Sequence, residues 1–153
     1  MQKVNHTRAT LRLVAALFLL LCAAPAALRA QETQDTMKLA APLRAARAAL
    51  TAAYISLEPA RANIHFADDA VVIFQDQTYR GRAAVDGWIV DSMTGVSAVR
   101  FGTPRFTIAD AEVTDYNTYS VTLGDGSLAE GTSEMVWRRQ ADGSWKVVRL
   151  LVT

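Results

Sequence analysis

The sequence predicts one α+β domain, helices first and an antiparallel sheet after, and three observations carry that prediction. Between residues 43 and 57, Leu43, Arg47, Leu50, Tyr54 and Leu57 recur at three- and four-residue spacing, the period of one helix face. From residue 96 onward the chain is rich in Val, Thr, Phe, Tyr and Trp, the side chains that fit a pleated sheet. Tight-turn sequences at residues 124–126 (GDG) and 142–143 (DG) divide that half into hairpin arms. Helices followed by hairpins is the order of an α+β domain.

The first thirty residues stand apart from that domain. Lys3, Arg8 and Arg12 precede an apolar run at residues 13–21, after which small residues and Pro25 lead to cleavage points near Ala26 and Ala30. A basic start, an apolar centre and a small-residue end make a secretory signal, and the run is too short to span a bilayer. Lipid attachment at Cys22 is the rival reading, and the bulky Leu21 before the cysteine argues against it. Residues 1–30 are therefore expected to be a signal peptide, removed before Thr33, and residues 31–153 a periplasmic or secreted domain with no membrane attachment. Those thirty residues hold four basic side chains and no acidic one, so their loss takes the formal charge from +1 to −3. With no basic stripe to replace the counterions of a phosphate backbone, no nucleic-acid partner is expected. Cys22 and His6 leave with the signal, so no thiol, disulfide or paired-histidine metal site is expected. The remaining ~120 residues suffice for one core and not two.

Within the domain, Pro42 opens the first helix, since proline is tolerated in a first turn, and Glu58-Pro59 breaks it. A short second helix over residues 59–66 would place Ile64 and Phe66 inward. Asp68 and Asp69 would then turn the chain into a strand at residues 71–75, a structural role that suits adjacent aspartates better than paired catalysis. A short return strand leads to Gly81, and residues 83–93 have the composition of a third helix, ending at Gly95. Strands follow over residues 96–108, 112–123, 127–139 and 144–152, with Pro104 requiring a bulge or bend in the first.

Three strings, HFADDAVVIF at residues 65–74, YRGR at 79–82 and DGSWKVV at 142–148, resemble the SnoaL-like and ketosteroid-isomerase-like families of the nuclear-transport-factor-2-like superfamily. The resemblance implies a cone, in which a curved antiparallel (mixed) sheet wraps about three N-terminal helices around one pocket, the α+β roll also called cystatin-like. It also implies dimerisation through a sheet face. It leaves the reaction open, because one fold hosts many functions.

In the resembled isomerases a tyrosine of the first helix donates to a developing oxyanion, a role that falls on Tyr54, which would otherwise simply continue the apolar stripe. Their general base falls at Phe74, which cannot move a proton. The ketosteroid mechanism, an Asp base beside an oxyanion hole that contains a protonated Asp, is therefore not expected. Asp76, on the same side of an extended strand two residues on, is the nearest substitute. On residues 112–123, alternation places Val113, Asp115, Asn117, Tyr119, Val121 and Leu123 on one side; if that side faces the cone, Asp115 is a second proton carrier and Asn117 a ligand-orienting group. Phe74, Trp88, Tyr119, Met135, Trp137 and Arg149 complete the expected pocket walls, and Trp145 is expected to pack. His65, without a companion, reads as a rim or solvent residue, and the glycine of YRGR as a turn. No phosphate loop or dinucleotide fingerprint occurs, so no cofactor is implied.

These residues fit best an exported domain that binds a small, largely apolar molecule. A cofactor-free acid–base enzyme (isomerase, dehydratase or cyclase), with Tyr54, Asp115 and Asp76 as its catalytic groups, is the first alternative. A homodimeric interaction module is the second. The last strand is apolar on both alternations, with Trp145, Val147 and Leu151 on one and Val148, Leu150 and Val152 on the other. A strand buried on one side alternates with polar residues, so Leu150 and Val152 are expected at a dimer contact.

Overall fold

The computed structural model describes residues 39–109 and 111–153. The signal at residues 1–30, with His6 and Cys22, lies outside the described residues.

Helix α1 spans Ala41–Ile55, with proline in its first turn, and buries Leu43 and Leu50 of the stripe together with Ala53 beside it. Leu57, at φ 54°, turns the chain out of it into the short α2, Pro59–Asn63. Strand β1 then runs Phe66–Phe74. It starts earlier than the aspartate pair suggested, and Asp68 and Asp69 are exposed side chains within it rather than a turn before it. Phe66 pairs with Val147 of the last strand, and the regular ladder resumes only at Val71 opposite Arg149. That irregular stretch is held by Arg82. Its guanidinium donates to Asp68 Oδ1 at 2.7 Å and to the carbonyls of Asn63 at 2.9 Å and Phe66 at 2.7 Å. Phe66 is buried as expected, whereas Ile64 is 60% exposed because α2 ends before it.

Strand β2, Gln77–Arg80, returns antiparallel to β1, and Gly81, at φ 78°, supplies the left-handed turn into α3, Arg82–Met93. The other strands are β3, Val96–Phe101; β4, Arg105–Ala109; β5, Glu112–Leu123; β6, Leu128–Arg139; and β7, Trp145–Val152. They form one curled sheet of seven strands in the order β2-β1-β7-β6-β5-β3, with β4 beside β5. The β1–β7 pair is parallel and the rest are antiparallel. β3 and β4 are the expected first long strand, interrupted: Phe101 pairs with Tyr119 and Arg105 with Tyr116, so Gly102, Thr103 and Pro104 form the bulge between. The two later hairpin turns are closed alike, Asp125 accepting from Ser127 and Asp142 from Ser144.

β7 carries a second bulge, and it overturns two expectations. Val147 pairs with Trp137, but Arg149 pairs with Val136, so Val148 has no residue opposite it. The extra residue moves the inward alternation from Trp145 and Val147 to Leu150 and Val152. Arg149, expected in the pocket, is therefore exposed and paired with Glu134. Leu150 is 3% exposed within the core and the half-buried Val152 lines the cavity, so both face inward rather than onto the outer sheet face on which a dimer contact was expected.

The core lies between the helices and the concave face of the sheet. Leu43 and Leu50 of α1 and Val85 and Ile89 of α3 meet Phe66, Val72, Trp137, Val147 and Leu150, with Trp145 packed among them as expected. Each such side chain, fully buried, stabilises the fold by about 1.5–3 kcal/mol.

Candidate functional site

Where α1 and α3 do not fill the concave face, a cavity of about 460 Å³ remains. The volume is in the range of small-molecule sites. Its long wall is the inward row of β5. Val113, Asp115 and Asn117 are buried, Tyr119 and Val121 half-buried, and Leu123 exposed. The cavity is thus closed at the Asp115 end and opens at the Leu123 end, where Asp91 and Thr94 at the end of α3 and Ala129 of β6 are also exposed. Phe74, Tyr79 and Trp88 form an aromatic side wall, with ring centroids 6.2 Å apart for Phe74–Trp88 and 6.3 Å for Tyr79–Trp88.

The closed end is polar. Arg47 sits on α1 between Leu43 and Leu50, so the helix that packs the core also drives a guanidinium toward β5. Arg47 Nε donates to Asp115 Oδ2 at 2.6 Å, and Nη2 donates to Asn117 Oδ1 at 3.2 Å. Asn117 Nδ2 donates to Asp115 Oδ1 at 2.6 Å, which closes a ring of three side chains. Phe106 of β4 lies under the guanidinium, 5.2 Å from its carbon to the ring centroid, a cation–π contact. Asp115 is 2% exposed. Burial pushes its carboxyl above the ordinary value, and Arg47 and Asn117 pull against that without cancelling it.

Tyr54 lines the same cavity and meets Phe101 edge-on at 6.2 Å. Its hydroxyl is covered and has no hydrogen-bond partner among the described residues. The phenol is held well above its ordinary pKa by that burial. Trp137, 1% exposed, also reaches the lining, and its Nε1 is likewise covered without a partner among the described residues.

Eight of the residues expected at the site meet here: Tyr54, Phe74, Trp88, Asp115, Asn117, Tyr119, Met135 and Trp137. Two do not. Asp76 is exposed in the turn between β1 and β2, because the strand ends at Phe74 before the alternation can carry it inward. Arg149 is turned out by the β7 bulge. His65 is half-buried at the start of β1, away from the cavity, and its pKa is lowered by burial and by Lys146. Arg47 is the cavity residue that sequence reasoning missed, although a signal was present. A cation inside an otherwise apolar stripe needs a buried partner, and Asp115 was already a candidate.

The curled sheet and its helices have the nuclear-transport-factor-2-like fold, as likeness to solved structures shows. No protein-family model and no curated protein matches the sequence. Among solved structures, a nuclear-transport-factor-2-like protein of unknown function from Pseudomonas putida is similar with a TM-score of 0.63. It is 16% identical over 72% of this chain and 82% of that one. A ketosteroid isomerase-like protein from Erwinia carotovora atroseptica gives 0.59 at 15% identity, over 71% and 89% of the two chains. A nuclear-transport-factor-2-like superfamily protein from Salmonella enterica serovar Typhimurium gives 0.59 at 12% identity, over 71% and 84%. Likeness at these identities shows the fold and does not extend to an activity.

Proposed function

We propose that this domain binds one small, largely apolar molecule in its cavity. The observation that carries the reading is a cavity of about 460 Å³, open at one end, whose walls are mainly aromatic and aliphatic and whose closed end holds one hydrogen-bonded polar ring. Convergent polar groups at one end of an apolar cavity fix a ligand's orientation while its body is held by burial. A cone filled by its own side chains would instead favour an interaction module. The test is mass spectrometry, under non-denaturing conditions, of the protein purified from its native host. A co-purifying small molecule that is lost when Ala129 at the mouth or Val121 further in is enlarged to Trp supports the reading. A protein that carries none, and takes up no apolar probe, overturns it.

The acid–base alternative keeps one supporting observation, that Tyr54 and Asp115 line the same cavity. Both Asp115 oxygens are engaged by Arg47 and Asn117, and the Tyr54 hydroxyl is covered, so binding stands first. Export belongs to the same proposal and rests on the basic, apolar and small-residue order of residues 1–30. Intact-mass analysis of secreted material should show a chain beginning at or before Thr33; retained Met1, or a lipid on Cys22, would reject it.

A further inference from the structure

The hydrogens that the closed end leaves unused narrow the ligand to a chemical class, an inference that rests on the binding reading. A guanidinium has five N–H hydrogens in a planar fork. Arg47 gives one from Nε to Asp115 and one from Nη2 to Asn117, and the remainder on Nη1 and Nη2 have no acceptor among the described residues. One hydrogen from each of these two nitrogens lies parallel along the end of the fork, the edge that matches the two oxygens of a carboxylate. The Arg47 side chain is 18% exposed and lines the cavity, with Phe106 against its face, which leaves an approach along the edge.

The neighbouring groups favour an acceptor too. Asp115 already accepts at both oxygens and Asn117 at its Oδ1, so neither is left bare for a donating ligand. Charge then sets a condition. The ring holds one cation and one anion, so a second carboxylate on Arg47 would bury a net negative charge, which a site of low dielectric resists. A proton on one of the two carboxyl groups removes the excess.

We propose that the cavity takes an apolar monocarboxylic acid, its carboxylate seated on the free edge of Arg47, and that its binding brings one proton from water onto Asp115. The balance is simple: the ligand enters as its anion, one proton leaves the solvent, and the buried cluster keeps its total charge of zero. Burial already raises the proton affinity of Asp115, so the step runs in the direction the fold favours. The groups around that carboxyl are few. Arg47 faces it from α1 and Asn117 from its own strand, while β4 and β6 place Phe106 and Met135 opposite, and neither of these titrates. Asp91, the other acid of the lining, is exposed at the mouth.

Calorimetric titration of the purified protein with decanoate, decan-1-ol and decylammonium, in buffers of different ionisation enthalpy, tests this. Decanoate should bind about tenfold more tightly than decan-1-ol, the gain expected of a charge-assisted pair, with close to one proton taken up per ligand. Decylammonium should bind weakest. In Asp115→Asn the proton uptake should vanish, and in Arg47→Met the preference for decanoate over decan-1-ol should collapse. Should Arg47→Met fail to fold, the double variant Arg47→Met with Asp115→Leu serves the same comparison. Decan-1-ol binding as tightly as decanoate, or decanoate binding without proton uptake, overturns the inference and leaves the binding reading standing. If none of the three probes binds, both fall.

Discussion

The two ends of the cavity invert the usual arrangement of a protein surface. At the closed end, where burial is deepest, stand a cation, an anion and an amide; at the mouth, where water reaches, the apolar Leu123 and Ala129 are exposed beside Asp91 and Thr94. One strand, β5, runs through both, and its inward row passes from Asp115 and Asn117 to Val121 and Leu123. The polar groups are therefore not there for solubility, and the apolar ones are not there for the core. The closed end is stabilised by mutual hydrogen bonding, because a buried ion pair survives only when its lone pairs and hydrogens are met. The mouth holds no such buried pair.

The largest expected effect lies beneath the closed end. Trp145 packs in the core at the start of β7, so Trp145→Ala should cost about 3–5 kcal/mol, read as a fall in the urea midpoint at unchanged slope. A melt that barely moves would place the ring at the surface and break the contrast between the two ends.

Next comes the ion pair. Arg47→Met leaves Asp115 buried without its cation and should destabilise by roughly 3 kcal/mol. Adding Asp115→Leu should recover most of that loss, since a well-packed apolar pair often equals a buried ionic one. A double-mutant cycle on chemical denaturation measures the coupling. If the two losses simply add, the three side chains of the ring do not act as a unit.

The third effect is a pH dependence of opposite sign to ordinary acid unfolding. Asp115 binds its proton more tightly in the fold than in the unfolded chain, so the folded state carries more protons across the window between its unfolded and raised folded values. Stability contributed by this group is therefore full below the unfolded pKa and is lost as pH rises through the window. The difference in stability between wild type and Asp115→Asn should shift against wild type as pH climbs. A flat difference would mean that Arg47 offsets the burial completely. His65 acts at higher pH with the other sign: its lowered pKa makes stability fall as pH drops through its unfolded value.

Much of this arrangement could be read from residue order, and the failures have physical causes. The helix stripe, the hairpin turns and the inward row of β5 follow from periods of 3.6 and 2, which local sequence carries. Asp115, Asn117 and Tyr54 came from that periodicity and from resemblance together. What was lost were two register effects. The bulge at Val148 reversed the faces of Arg149 and Leu150, and the early end of β1 at Phe74 stranded Asp76 in a turn. A bulge depends on how one strand lies against another, so a one-residue shift exchanges whole faces with no mark in the strand's own composition. Arg47 was missed for a different reason. Its position in the stripe was visible, but a lone cation in a helix face gains a meaning only when a partner sixty-eight positions later is brought against it.

The smallest expected effect is behind the mouth, on the outer face of the sheet, and it serves as the control for the contrast between the two ends. Leu128 is an exposed apolar residue at the start of β6, opposite Thr122 of β5, and it belongs neither to the core nor to the cavity lining. Surface substitutions away from caps, cavities and ion pairs usually change stability by less than about 0.5 kcal/mol. Leu128→Ser should therefore leave the thermal midpoint almost unmoved. The rate of association with decanoate should be nearly unchanged as well, since Leu128 alternates with the lining residue Ala129 and so stands on the opposite face of the sheet from the cavity. Stopped-flow tryptophan fluorescence during decanoate binding reads that rate. A large stability loss would show that Leu128 is part of a packed surface, and the outer face would then have to be redrawn.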